Sequence, residues 1–299
     1  MRPDMASKYL HVHDPVLGYV PRAGVRGHTR DGGAVTIDGD GLRFSGDTPP
    51  LSDRPILAVG DSFTYGEDVG DLEAWPAQLQ RLIGRRVLNG GVSGYGLDQI
   101  VLRTERLVAR HRPVAAIVSL IADDIARTEM RRLWWHDKPW FAVEQGRLVA
   151  KGQPVPERTR LPLGLRRTIE RLLNRTPAAL QRLAGSHIRI HRAGTGDLIS
   201  LKLVERLARL QATAGVKIVL MAQYDAHAWL DSRYAREQKD RLRPLLNGAA
   251  STGMATLDTF NRLSAEPRPG DLYGMQHMNG RGNLMIAGLL AARLRSLPD

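Results

Sequence analysis

From Pro55 to the C-terminus, short apolar runs alternate with longer stretches in which apolar residues recur every three or four positions. The short runs are Ile56–Gly60, Arg86–Gly91, Val114–Ala122, Val216–Gln223 and Met254–Asp258. Nearly unbroken apolar character over so few residues suits strands buried on both faces. The intervening stretches, Ala74–Ile83, Leu97–Arg110, Leu201–Ala214, Arg233–Leu246 and Gly282–Leu297, carry the helical period. Strand and helix in alternation predict a parallel sheet covered on both sides. The expected fold is therefore a doubly wound α/β three-layer sandwich around a five-stranded parallel sheet.

Two regions depart from the alternation. The first fifty residues are rich in Gly, Asp and Arg with little periodicity, and are expected to form an N-terminal extension (1–50) wrapping the main domain (51–299). Ala126–Thr195 interrupts the pattern after the third strand, where loops at strand carboxyl ends build ligand sites. This insertion (126–195) holds Trp134, Trp135, Trp140 and Phe141, expected to anchor it, and a hairpin pattern in Phe141–Ala150. Its stretch 163–184 is amphipathic and basic, with Leu163, Leu165, Ile169, Leu172 and Leu173 as an apolar stripe; a solvated face is the plain reading, and contact with a membrane surface the alternative.

The chain has 299 residues, 42% of them hydrophobic, enough for a sizeable core. Its formal charge of +12 favours acidic partners, but nine arginines against two acids between Glu157 and Arg192 concentrate much of the excess in the insertion. No nucleic-acid partner is expected. Without cysteine there are no disulfides, thiolate metal sites or cysteine nucleophiles. No run has the roughly 18 to 20 apolar residues of a membrane span, and the first residues lack the apolar stretch of a secretory signal, so a cytoplasmic location is expected. His11 and His13 have metal-like spacing without a third ligand nearby, and no metal is expected. Oligomeric state is not legible.

The chemistry gathers where strands end. Ser62 lies two residues beyond the first strand, in GDSFTYG, beside a helix start whose N–H groups stabilise negative charge. No Gly-Lys-Ser/Thr follows, which excludes a P-loop, and Thr64 excludes the Gly-x-Ser-x-Gly elbow. A capping serine is the bland alternative. After the second strand, Gly94 and Gly96 allow close backbone approach to a ligand; Asp123 and Asp124 tip the third strand; His277 sits in a loop before the last helix. Gln99 is a candidate either to brace the active-site loop or to cap its helix.

In this order the blocks GDSFTYG, NGGVSG, IADD and HMNGRGN resemble the SGNH hydrolases, or GDSL-type esterases and lipases, over roughly Pro55–Leu297. The resemblance implies a flavodoxin-like sandwich, Ser62 as nucleophile, His277 as general base, and the N–H groups of Ser62 and Gly94 as oxyanion donors. No cofactor is implied. Two positions depart from the family pattern: Asp123 stands where an oxyanion-hole asparagine is usual, and Gly274 where an acid normally precedes the histidine. Asp271 is the nearest upstream acid, with Asp258 as the other candidate and a Ser-His dyad as the third option. Asp61, Tyr95 and Asp124 are candidates for the substrate pocket. The expected activity is hydrolysis of an oxygen ester, with a small acyl group such as acetyl on a carbohydrate or other metabolite. O-acyl transfer by the same site, and a non-catalytic binding protein with a degenerate site, are the alternatives.

Overall fold

A computed structural model describes residues 11–29, 31–47, 49, 51–157 and 186–297. The basic stretch 163–184 lies outside the described residues. Five strands, β1 (Leu51–Val59), β2 (Arg85–Asn89), β3 (Ala115–Leu120), β4 (Lys217–Ala222) and β5 (Ala255–Asp258), form one parallel sheet in the order β2-β1-β3-β4-β5. Each overlaps one of the apolar runs, although β1 begins five residues before its run, at Leu51. Successive side chains point to opposite faces, so Leu57, Val59, Val118 and Leu220 enter one core and Ile56, Ala58, Ile117, Val219 and Met221 the other.

The helices divide accordingly. After the short α1 (Ser62–Tyr65), α2 (Trp75–Ile83) buries Trp75 and Leu79 on the second face, while α3 (Leu97–His111) buries Leu97 and Ile100 on the first. A short α4 (Ala122–Arg127) follows β3. Next, α5 (Thr195–Ala214) and α6 (Ser232–Ser251) join α3, and α7 (Gly280–Arg295) packs beside α2. Among the described residues, no helix is long and apolar enough to cross a membrane.

Residues 11–46 form two antiparallel hairpins and an irregular run whose Leu17, Tyr19 and Leu42 are buried in the first core. Gln99 both caps α3 and donates to the Leu17 carbonyl at 2.8 Å. Between α4 and α5 lie the hairpin Met130–Leu133/His136–Asp137 and a second, Trp140–Glu144/Arg147–Lys151. Phe141 is fully buried in the first core, whereas Trp134 is exposed, so the aromatic group does not act as one anchor. Buried Lys138 ties this region to α3 through Asp98 and to the carbonyls of Met130 and Pro139.

Candidate active site

At the end of β1 the chain tightens abruptly. A Cβ on Gly60 would stand 2.2 Å from Thr64 Oγ1 and 2.8 Å from the Ser119 carbonyl, so only glycine permits this crossing. Asp61 then caps α1, accepting from the Phe63 N–H at 2.9 Å, and Ser62 becomes the first helical residue. The N–H of a first helical residue has no intrahelical partner. His277 arrives from the loop before α7, in a turn closed by the Tyr273–Met278 bridge and by the Gly274 N–H donating to the His277 carbonyl at 2.9 Å. Its Nε2 lies 2.9 Å from Ser62 Oγ, and its ring packs edge-on against Phe63.

The carboxylate on the far side of the imidazole is Asp68, whose Oδ2 lies 3.2 Å from Nδ1. Asp271, the acid expected there, is instead on the exposed side of the turn, paired with Arg268 at 3.0 Å. The Tyr273–Met278 bridge folds His277 away from it. Asp258 is not at the imidazole either: it accepts from Tyr224 Oη at 3.0 Å and caps Phe260. Burial works against a charge on His277, but the hydrogen bond and charge of Asp68, with Glu67 and Asp61 beyond, outweigh it and raise its pKa above the usual 6.5. With Nδ1–H donating to Asp68, Nε2 is left to accept the serine proton.

Asp68 is held from a distance. The buried Arg43, from the N-terminal segment, donates to the carbonyls of Tyr65, Gly66 and Val69 at 2.5 to 2.6 Å and pairs with Asp71 at 3.1 Å. These contacts frame the Glu67–Asp68 loop on both sides. Sequence reasoning looked for the acid beside the histidine; the available signal was Glu67–Asp68, within one turn of the serine block.

Gly94 adopts φ +79°, and a Cβ there would lie 3.1 Å from Tyr19 Oη and 3.2 Å from Trp134 Cδ1. Its backbone lines the same cleft as Ser62 and His277, a space of about 400 Å³. His11 and Tyr19 from the N-terminal hairpin, Trp134 and His136 from the insertion, and Glu67 and Arg127 complete most of the lining, and none of these six was foreseen from sequence.

Three expected pocket residues, Asp61, Tyr95 and Asp124, lie beneath the cleft instead of in its lining. Tyr95 is fully buried and donates to the Tyr19 carbonyl. Asp124 turns inward to accept from the Ile121 N–H at 3.0 Å, as a helix cap does. That leaves Asp123 exposed and outside the cleft lining, so its carboxylate is not where an oxyanion would form. Arg127, one turn on, reaches the floor: its Nη1 donates to Asp124 at 2.6 Å and to the Tyr95 carbonyl at 3.0 Å, with Asp61 at 3.5 Å. Burial pushes the pKa of both Asp61 and Asp124 upward, and their mutual repulsion adds to the shift of Asp124; Arg127 opposes it.

The sequence profile of the GDSL-like Lipase/Acylhydrolase family matches residues 58–284, a span that contains the serine, the Gly94 loop, Asp68 and the histidine. The chain belongs to the GDSL-like lipase/acylhydrolase family. As a GDSL-like acylhydrolase it is an ester-hydrolysing enzyme. No curated protein sequence matches it. Similar solved structures include a catalytic mutant of Axe2, an acetylxylan esterase from Geobacillus stearothermophilus, at 15% identity and TM-score 0.48, covering 84% of this chain and 97% of that one. A lipase/acylhydrolase from Enterococcus faecalis is similar at 15% identity and TM-score 0.46, over 82% of this chain and 98% of its own.

Proposed function

We propose that this GDSL-like acylhydrolase removes a short acyl group from an oxygen ester through a Ser62–His277–Asp68 triad. The observation that carries the reading is the file of contacts from Ser62 Oγ to His277 Nε2 at 2.9 Å and from His277 Nδ1 to Asp68 at 3.2 Å. Ser62 Oγ attacks the acyl carbon as its proton passes to Nε2. The carbonyl oxygen, now anionic, takes hydrogen bonds from the Ser62 and Gly94 N–H groups. Collapse breaks the bond to the alcohol oxygen, which leaves with the proton from Nε2. Water then attacks the acyl-serine and gives a proton to His277 Nε2; collapse breaks the bond to Ser62 Oγ, which takes that proton back as the acid leaves. Asp68 holds the ring in the required tautomer throughout.

Among the described residues the cleft lining holds no aliphatic side chain to solvate a long hydrocarbon, which supports a short acyl group and a polar alcohol. A panel of ethyl esters from acetate to decanoate, run on wild type and Ser62→Ala, tests the reading. Acetate is expected to be among the best substrates, and the variant to lose at least about a thousandfold in kcat. Retained turnover in Ser62→Ala, or a steady rise in kcat/KM with chain length, would exclude it.

A further inference from the structure

The hairpin Met130–Leu133/His136–Asp137 turns in two residues, because Leu133 pairs directly with His136. Those residues, Trp134 and Trp135, have φ of +50° and +67°. Two positive φ values in a two-residue hairpin mark a type I′ turn, a place for Asn-Gly because a Cβ crowds the left-handed region. Two tryptophans are an unfavourable choice for the backbone. Strain retained in this way is a pointer to function when it aims a side chain at a site.

Here it does. The Trp134 indole is 48% exposed, lines the cleft with Ser62 and His277, and places Cδ1 beside Gly94. His187 meets it in a T-shaped contact with ring centroids 4.6 Å apart. The lining around it includes the polar side chains of Glu67, His136 and Gln276.

We propose that Trp134 is the platform of a leaving-group subsite on which the pyranose ring of a sugar ester stacks, an assignment that rests on the reading of this cleft as an ester-hydrolysing site. A pyranose combines an apolar C–H face, which suits the indole, with a belt of hydroxyls, which suits the polar side chains around it. A lipid alcohol would desolvate those polar groups without replacing their hydrogen bonds. An aromatic alcohol would stack but offer fewer hydroxyls to those side chains.

The test separates ligand stacking from packing. In the Ser62→Ala protein, calorimetry measures binding of the regioisomeric methyl mono-O-acetyl-hexopyranosides without turnover. Adding Trp134→Asn, which suits the I′ turn, is expected to weaken binding about tenfold while the Tm holds or rises; Trp134→Phe recovers most of the affinity. With Ser62 intact, Trp134→Asn is expected to lower the ratio of kcat/KM for the acetyl-pyranoside over ethyl acetate by a similar factor. Unchanged affinity in Trp134→Asn, no binding of any acetyl-hexopyranoside, or a fall in Tm of more than a few degrees overturns the subsite. Acetyl-hexopyranosides that bind through Trp134 but are not hydrolysed by the intact protein would leave the subsite standing and remove the triad reading instead.

Discussion

At the scale of single residues, His277 decides how the site answers to pH. It must be neutral to accept the serine proton, and Asp68 favours the protonated ring, so the acid limb of activity is expected to lie above the usual histidine value of 6.5. Asp68→Asn removes that bias. The limb should then move to lower pH while kcat falls by about a hundred- to ten-thousandfold, because the ring loses its fixed tautomer; a pH–rate profile of the variant checks both. A limb that stays in place would show that Asp68 does not govern the imidazole. Asp123 gives the opposite expectation. Its carboxylate is exposed, so Asp123→Asn should change kcat/KM on ethyl acetate by less than about twofold, within the range of surface substitutions. That Ser62 and His277 would meet was legible because each falls inside a motif with fixed neighbours. Asp68 was not, because an orienting acid is defined by where a loop folds back and not by its distance along the chain.

Elements were easier to read than the cleft they build. The sheet strands are buried on both faces, and a strand in that situation must be apolar almost throughout, which makes it visible without homologues. The start of β1 was missed because Ser52, Asp53 and Arg54 extend it with polar residues beyond the buried run. Short α4 was hidden for a related reason: its six residues make fewer than two turns, too few for an apolar repeat to show, yet it sets Asp124 inward, Asp123 outward and Arg127 on the cleft floor. Its main energetic task is electrostatic. Arg127 is the cation paired with both Asp61 and Asp124, two buried carboxylates under the nucleophile. Arg127→Leu leaves them uncompensated and should destabilise the fold by about 3–5 kcal/mol, measured as a lowered urea midpoint. Because the shortfall comes from carboxylate charge, the penalty should shrink as the pH is lowered. A pH-independent loss would assign it to packing.

For the whole molecule, the N-terminal residues help to build the candidate site, because Arg43 frames the Asp68 loop. Their composition suggested a wrapping segment; nothing in it indicated that Arg43 would hold the Asp68 loop, since a buried arginine is recognisable only from the carbonyls it meets. Arg43→Leu strands Asp71 and frees three carbonyls, so a loss of stability of about 3–5 kcal/mol is expected. In the variant that remains folded at low temperature, kcat should fall more than KM rises, and the acid limb should drift downward as Asp68 loosens. Unchanged kinetics would show that the loop keeps its shape unaided. The span between the two partners of the serine–histidine contact, 215 positions, also has a meaning in time. A ribosome adding about 5 to 20 residues per second makes Ser62 roughly 10 to 40 s before His277. Throughout that interval the serine hydroxyl is an ordinary alcohol, and an interrupted product that ends before residue 277 carries Ser62 without the imidazole that contacts it. On the proposed mechanism, reactivity toward esters therefore begins only once His277 has been added.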